Sequence, residues 1–581
     1  MIDDDLHDEV MAWIADDPDE RDRAELSALL RSATTGIGDA AQQAAAELED
    51  RFAARLEFGT AGLRGKIAAG PNRMNRAVVR GTTAALSRWL LYIDPRAAQT
   101  GVVIGCDARH RSEEFAKEAA QVLAGAGIAV HMLAPRQPTP LLAFAVRYLA
   151  AAAGIMITAS HNPPGDNGYK LYLSDGAQIV PPADLEIEAA IRAIDLLSRI
   201  PVAPADDPLI VRHGDEIAAA YLDAICPAAR APKGSAWLRF TYTPLHGVAG
   251  RLALRAFAQA GFTQPDIVEA QFAPDPDFHT VAFPNPEEPG ALDLALAQAR
   301  RSGADLVIAN DPDGDRLAVA VPDDAAPGGW RTLTGDQVGA LLGAYLLGED
   351  AAGISADLDE LDEPGRVQPL VATTIVSATM LSAIAAAAGA RYAETLTGFK
   401  WIVRAGDLTR EVRFIYGYEE ALGYCVGTTV RDKDGIGAAL AVLCLAAKAR
   451  SGGESLLEAY DALEVAHGVH LSAQITVPTT EPVHVMSRLR IEAPTELAGQ
   501  AITATSDLTG GTDKLPSADV LRYWLNGARV VIRPSGTEPK IKAYLEIVEP
   551  VIAGRLSEAR RAAQAKMDPL REAVRELLNG G

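Results

Sequence analysis

Cysteine is scarce in this chain, with four residues in 581. Cys106, Cys226, Cys425 and Cys444 lie far apart with no Cys-x-x-Cys spacing, which excludes a disulfide framework and a cysteine zinc site. Cations are also in short supply. The 54 Lys and Arg stand against 77 Asp and Glu, a formal net charge of −23, which argues against a nucleic-acid-binding surface. Such a chain repels an anionic substrate at long range, so a phosphate site must concentrate its own cations. No basic stretch opens the sequence: Met1-Ile2-Asp3-Asp4-Asp5 is acidic where a signal peptide is basic, and a cytoplasmic location is expected. Leu370 to Ala390 is uncharged and long enough to cross a bilayer, but Thr373, Thr374, Ser377, Thr379 and Ser382 interrupt it. It reads as a buried strand followed by a helix, so no membrane segment is expected. No internal repeat shows at the residue level.

What is present is a chain with 48% hydrophobic residues, too long for one core and expected to divide into about three to five domains. Residues 1–56 are Ala-, Glu- and Asp-rich with helical periodicity, a helical lead-in. Strand and helix patterns then alternate: Val102 to Cys106 is a buried strand, Ser112 starts a helix, and Ile128 to Leu133 is another strand. The pattern restarts at Leu238 to Tyr242 after a Pro- and Asp-containing stretch at Pro201 to Asp207, and again from about Leu333. This predicts α/β organisation with mainly parallel sheets in three similar units, 57–205, 206–330 and 331–465, followed by a last segment, 466–581. From Leu556 to Leu578 an amphipathic helix or helix pair is expected, for packing.

Several loops carry chemistry. Ala151 to Ile157 is an apolar run of strand length, and the Asn, Pro and Gly cluster after it holds Ser160 at the strand's carboxyl end, where open α/β sheets bind ligands. Ser160 lacks a Gly-x-Ser-x-Gly elbow, so it is suited to carry a phosphoryl group rather than to attack as in a hydrolase. Asp305 to Ala309 is a strand that runs into Asn310-Asp311-Pro312-Asp313-Gly314-Asp315-Arg316. The three alternating carboxylates can converge on one hard cation, and an EF-hand is excluded because Arg316 and Pro322 stand where it needs Gly and Glu. Thr60 and Arg64 offer a hydroxyl and a guanidinium from a Gly-rich turn. Thr397-Gly398-Phe399-Lys400 precedes a helix, and Tyr416 to Tyr424 forms a polar loop after the strand Val412 to Ile415. Within it the adjacent Glu419 and Glu420 can accept hydrogen bonds from neighbouring sugar hydroxyls. Asp432-Lys433-Asp434-Gly435 opens another helix. Near the end, Arg533, Ser535, Gly536, Thr537 and Lys540 combine charges, hydroxyls and backbone donors, the makings of a phosphate cradle. His246, beside a Gly at a strand-to-helix turn, is expected to be a local hydrogen-bonding residue.

In order, Thr-Ala-Ser-His-Asn-Pro at 158–163, Asp-Pro-Asp-Gly-Asp-Arg at 311–316, Glu-Glu-Ala-Leu-Gly-Tyr at 419–424 and Arg-Pro-Ser-Gly-Thr-Glu-Pro-Lys at 533–540 resemble the α-D-phosphohexomutase superfamily. The likeness covers nearly the whole chain. Glu57 to Gly65, Phe283-Pro284-Asn285-Pro286-Glu287 and Glu419 to Tyr424 are similar to its type-2 phosphoglucomutase and phosphopentomutase branch. The resemblance implies four domains around a central cleft: three similar α/β units plus a smaller C-terminal α+β domain. It implies that Ser160 is the phosphoserine and that its phosphate, with Asp311, Asp313 and Asp315, holds one Mg²⁺. It implies that Glu419, with Glu420 beside it, reads sugar hydroxyls, and that Arg533, Ser535, Gly536, Thr537 and Lys540 grip the phosphate that is not reacting. Arg64, His161, Lys170 and Arg316 match positions around the reacting phosphoryl group, with Lys170 and His161 the candidates for proton transfer. Thr60, Thr397, Gly398, Lys400 and Lys433 are expected as further substrate contacts.

The activity implied is interconversion of glucose 1-phosphate and glucose 6-phosphate through a bisphosphorylated intermediate, with a sugar bisphosphate as activator. Mannose phosphates and pentose 1- and 5-phosphates are the alternatives, and a non-catalytic sugar-phosphate sensor is the alternative of another class. Ala421 and Gly423-Tyr424 depart from the pattern: many relatives have Ser shortly after the sugar-reading Glu, and the mannose-accepting branch has Gly-His nearby. The expected partners are small sugar phosphates, with no nucleic acid and no membrane, and the chain is expected as a monomer or small homo-oligomer.

Overall fold

The computed structural model describes residues 2–580 apart from 60–61, 227–230, 233–236, 352–366, 408–410 and 537–539. Thr60 and Thr537 therefore lie outside the described residues. Three helices lead in, α1 (Asp4–Asp16), α2 (Glu20–Thr35) and α3 (Asp39–Phe52). Asp3 and Asp19 start the first two by accepting the Leu6 and Arg21 amides, which supplies partners to N–H groups that a helix start leaves open. Val10, Leu26, Leu30 and Leu48 meet in a small core of their own, each buried Leu contributing about 1.5–3 kcal/mol.

The next three units share one strand plan. The first contains β1 (Leu63–Lys66), β2 (Val102–Cys106), β3 (Val130–Met132), β4 (Ala153–Ile157), β5 (Asp166–Leu173) and β6 (Ile210–Arg212), in the order β1-β5-β4-β2-β3-β6. The second contains β7 (Phe240–Thr243), β8 (Asp266–Ile267), β9 (Leu306–Asn310), β10 (Leu317–Pro322) and β11 (Trp330–Thr332), ordered β11-β10-β9-β7-β8. The third contains β12 (Gln368–Thr374), β13 (Arg391–Thr395), β14 (Val412–Glu419) and β15 (Gly423–Val426), ordered β13-β12-β14-β15. In each, three parallel strands are followed by one that turns back antiparallel beside the last of them: β5 on β4, β10 on β9 and β15 on β14. Strands such as β2, β4 and β9 are buried at every residue, as parallel strands covered on both faces must be. The reversal needs only a short turn, where a parallel return would need a crossover. Those three turns follow Ile157, Asn310 and Glu419, so the same point of the plan bears Ser160, the Asp series and the paired Glu residues.

The three units are stitched together. One continuous apolar core runs through all of them. The Tyr172 hydroxyl donates to Asp432 Oδ2 at 2.7 Å, Gln178 Nε2 donates to the same oxygen at 2.8 Å, and the Tyr221 hydroxyl donates to Asp434 Oδ1 at 2.7 Å. The Leu317 amide donates to the Leu422 carbonyl at 3.1 Å, tying the second unit's turn to the third's. No single helix among the described residues is long and apolar enough to cross a membrane. Leu370 to Ala390 is a strand followed by a helix, β12 and Met380–Ala387.

The last unit is an antiparallel sheet of β16 (Val469–Pro478), β19 (Ala504–Asp507), β20 (Leu521–Leu525), β21 (Ala528–Pro534) and β22 (Lys540–Glu549). Its order is β16-β22-β21-β20-β19, with a small hairpin, β17 (Glu496–Leu497) and β18 (Gln500–Ala501), beside it. The tail is one helix, Leu556–Asn579, whose Ala559, Ala563, Met567, Leu570, Val574 and Leu578 form a buried stripe at helical spacing against the sheet. Polar contacts join this unit to the third: Arg529 reaches Glu394 at 2.9 Å, Arg522 reaches the same Glu394 at 2.8 Å, and the Ser472 hydroxyl donates to Asp336 at 2.9 Å.

Three expected boundaries shift. β6 belongs to the first sheet, so that unit extends past 205 to Arg212; β11 carries the second unit past 330 to Thr332; and the helix Leu456–His467 crosses 465. The expected loop from Tyr416 is also corrected, because Tyr416 to Glu419 continue β14, paired to β15 on one side and, as far as Tyr418, to β12 on the other. Continuous burial of Ile415 to Tyr418 in a central strand outweighs the turn signal of Gly417.

Candidate active site

Ser160 sits in the turn after β4 with its backbone in the left-handed region, φ +52°, where a residue with a side chain is strained. It is 1% exposed. Its amide donates to Thr158 Oγ1 at 2.8 Å, its hydroxyl donates to Asp311 Oδ2 at 2.7 Å, and its Oγ lies 3.1 Å from His161 Nδ1.

Asp311 belongs to the turn after β9. Gly314 takes φ +73°, the conformation that lets this turn bring Asp311, Asp313 and Asp315 together. The three are buried, and one oxygen from each lies within 4.8 Å of the others. Asp313 Oδ2 accepts from Lys170 Nζ at 2.6 Å and Thr139 Oγ1 at 2.6 Å; Asp315 Oδ2 accepts from Lys170 Nζ at 2.8 Å and lies 3.3 Å from Lys433 Nζ. The second oxygens, Asp313 Oδ1 and Asp315 Oδ1, are buried and accept no hydrogen bond among the described residues. Buried carboxylate oxygens without donors are costly unless a cation takes them. Three hard oxygen ligands with open valences could hold a divalent metal ion.

Electrostatics follow from this crowding. Burial, together with Asp313 and Asp315, pushes Asp311 well above the usual carboxylate range. Burial opposes ionisation of Asp313 too, but Lys170 holds it low. Lys170 is buried, which favours its neutral form, yet Asp313 and Asp315 outweigh that and raise it, so it is a fixed cation. Burial drives His161 well below its ordinary value, and Arg316 and Arg64 push in the same direction, leaving a neutral imidazole. Arg64 donates to Asn162 Oδ1 at 3.0 Å, while the Arg316 amide donates to Asp311 Oδ1 at 3.0 Å and its guanidinium lies 3.3 Å from Glu287. Both retain a buried Nε without a hydrogen bond among the described residues.

The structure therefore gathers Ser160, His161, Lys170, Arg64, Arg316, Asp311, Asp313 and Asp315 into one place. It also redirects Lys433. Expected as a substrate contact, Lys433 is buried and points at Asp315, with Asp432 3.5 Å away and the Phe399 ring 5.5 Å below. Glu419 ends β14, and burial raises its carboxyl to about 7. Glu420 turns elsewhere, accepting from the Ser377 and Thr374 hydroxyls at 2.9 and 3.2 Å. Thr397 and Gly398 precede the short helix Phe399–Ile402, and burial lowers Lys400 on it. Arg533, Ser535, Gly536 and Lys540 stand apart on the β21–β22 turn, where the Ser535 amide donates to the Lys540 carbonyl at 2.9 Å. A cavity of about 480 Å³ has walls from the second, third and last units, running from Glu287 through Glu420 and Val376 to Gln474 and Tyr544. His246 is the local residue expected, its amide bonded to the Gln271 carbonyl and its Nε2 2.8 Å from Thr280 Oγ1. Thr139, Glu287 and Arg109 escaped the sequence reading. Only Glu287 carries a sequence signal, since it closes the Phe283 to Glu287 segment.

Models of the four domains described as phosphoglucomutase/phosphomannomutase, alpha/beta/alpha domains I, II and III and the C-terminal domain, match residues 55–198, 219–326, 334–464 and 490–563. The chain belongs to this family. It is 40% identical over 481 residues to the "Probable phosphomannomutase" of Haemophilus influenzae, covering 81% of this chain and 93% of that protein. It is 36% identical to the human phosphopentomutase, covering 87% of each, and relatives from Staphylococcus are named phosphoglucomutase. A phosphoglucomutase/phosphomannomutase family protein of Burkholderia thailandensis has the same fold, with a TM-score of 0.66 over 90% of this chain and 98% of that one at 20% identity. The protein is accordingly an isomerase of the phosphohexomutase type, acting on small sugar phosphates.

Proposed function

We propose that this family member moves a phosphoryl group between the 1- and 6-positions of glucose phosphate, with phospho-Ser160 as donor and a sugar bisphosphate as both intermediate and activator. The observation that carries the reading is the 2.7 Å contact of Ser160 Oγ with Asp311 beside two carboxylate oxygens that no donor satisfies. Those oxygens fit Mg²⁺, held by Asp311, Asp313, Asp315 and an oxygen on Ser160. Bound there, the ion would supply positive charge to the phosphoryl oxygens as they transfer.

The chain's own groups do the rest. Lys170 and Lys433 offset the carboxylates, while Arg64 and Arg316 each keep a free Nε to face phosphoryl oxygens. Neutral His161, beside Ser160 Oγ, accepts and returns the hydroxyl proton; Lys170, fixed as a cation, serves as charge rather than base. Glu419 accepts hydrogen bonds from sugar hydroxyls, and the Arg533–Lys540 turn grips the distant phosphate. Closure of the last unit over the bound sugar phosphate would exclude water from the phosphoryl group.

A second reading, transfer between the 1- and 5-positions of a pentose, is favoured by a specific observation: the phosphopentomutase and phosphoribomutase relatives, at 33–36% identity, align with 87–93% of this chain. Two measurements test the proposal. Peptide mapping of active enzyme should find phosphate on Ser160, and Ser160→Ala should lose turnover; full activity in that variant overturns the mechanism. Parallel kcat/KM values on glucose, mannose, ribose and deoxyribose 1-phosphates decide the sugar, and a pentose lead above about tenfold, or about 1.4 kcal/mol, replaces glucose with the pentose.

A further inference from the structure

The turn that carries Ser160 is strained at Ser160, φ +52°, and several of its carbonyls take their donor from outside the turn, which helps to hold its shape. One side chain does most of this. Arg109, 4% exposed, donates through NH2 to the carbonyls of Ser160 at 2.6 Å and Asn162 at 2.5 Å, and through NH1 to those of Pro163 at 2.7 Å and Asp166 at 3.2 Å. Four carbonyl oxygens converging in a buried place repel one another unless donors face them, and the planar guanidinium is the side chain able to face all four. Arg109 is itself fixed. Its amide donates to Asp107 Oδ1 at 2.9 Å, its Nε lies 3.5 Å from Asp107 Oδ2, and the Phe278 ring of the second unit lies 5.0 Å from its guanidinium carbon.

Arg109 belongs to a turn, 107–112, that has a second face. There Arg111, at φ +62°, reaches Asp19 at 2.5 Å, Asp22 at 2.9 Å and Glu114 at 2.8 Å. Asp19 caps α2 and Asp22 lies in its first turn; they are 3% and 2% exposed. The lead-in is anchored again where Asp16 accepts the Leu197 and Ser198 amides at 2.6 and 3.0 Å. Asn167 completes the turn's inner face, donating to the His110 carbonyl and to Ser112 Oγ, both at 2.9 Å. A continuous path thus runs from α2 through Arg111 and Arg109 to the backbone of Ser160. The family models begin at residue 55, so they assign nothing to the helices that start this path.

We propose that Arg109 is a positioning residue for the Ser160 turn and that the lead-in helices, through Arg111, hold Arg109 in place. The inference rests on the reading of Ser160 as the phosphoryl carrier. In-line transfer tolerates little displacement: an error of about 1 Å costs on the order of 10²-fold in rate. Arg109→Lys keeps the charge but cannot span four carbonyls. It should lower kcat by about 10- to 100-fold, leave KM within about twofold, and speed amide exchange in the peptide 158–168. Arg111→Lys should do the same to a smaller extent.

A folded Arg109→Lys enzyme with unchanged kcat overturns the proposal. So does a lowered melting temperature with unchanged kcat per folded molecule, which marks a purely structural role. Should Arg109→Lys not fold, Arg111→Lys decides by the same two readouts. Ser160→Ala, assayed alongside, separates the two ideas: if it is active the carrier reading fails, and if it is inactive while Arg109→Lys is fully active only the positioning role fails.

Discussion

Ser160, Asp311, Asp313, Asp315 and Lys170 are at most 1% exposed, whereas Arg533 and Ser535 are half-buried and Gly536 is exposed. The first group is braced from three units at once: Lys170 and Thr139 come from the first, the carboxylates from the second and Lys433 from the third. The second group hangs on one hairpin of the fourth. On the proposed reading, the difference is what a mutase needs. Charges around the bond that breaks must be in place before the substrate arrives, because reorganising them during transfer would raise the barrier. The grip on the other phosphate must accept either end of the sugar, so fewer of its groups need fixing in advance.

The contrast predicts rate effects at the buried centre and affinity effects at the open one. Asp313→Asn, or chelation of divalent metal from the native enzyme, should cost about 10²- to 10³-fold in kcat, with KM little changed in initial-rate assays. Equal losses from Asp313→Asn and Arg533→Ala in kcat would break the comparison. Lys170→Met should destabilise the metal-free protein by about 3–5 kcal/mol in denaturant titrations, since it strips Asp313 of its buried counter-charge and leaves Asp315 with Lys433 alone. Added Mg²⁺ should restore part of that loss. Arg533→Ala should raise KM by about 10- to 100-fold, the worth of a hydrogen bond to a charged group, with a smaller fall in kcat.

The mildest effect belongs to Glu419. With a carboxyl at about 7, it is an acceptor above that pH and protonated below it. KM should therefore rise by about 2- to 6-fold as pH falls from 8 to 6, the part of one hydrogen bond's worth that titrates across that window. Glu419→Gln should have a KM that is flat over the same range, and a profile in the variant that matches the native one would assign the titration to another group.

The buried centre was the more legible in sequence, but only in part. Ser160 and the Asp series announce themselves because each is a short run whose chemistry is local. Glycine and proline mark their turns, and strand-length apolar runs place them. Thr139 carries no such mark, since its partner Asp313 lies 174 residues away. Lys433 reads as a substrate contact because nothing near it in sequence shows that Asp315, in the second unit, is its partner. Arg109 was hidden for the same reason: its partners are backbone carbonyls, which every sequence has. The lead-in was readable as helices, while its contact with the 107–112 turn was not, because docking depends on which exposed charges meet. Misplaced boundaries at β6 and β11 have a related cause, short edge strands whose pairing is decided by a sheet already formed.

The shared plan of the first three units also sets what can be changed without loss. Ser160, the Asp series and Glu419-Glu420 all stand where a strand hands over to its antiparallel neighbour, with paired residues fixed on both sides. A side chain replaced there alters its own contacts, such as those of Asp313 with Lys170 and Thr139, and leaves the strand register intact. A residue inserted or removed within the paired strands shifts the alternation of β4, β9 or β14 against its partner and turns every later side chain to the opposite face. Residue identity along these strands can drift one position at a time, while their length cannot.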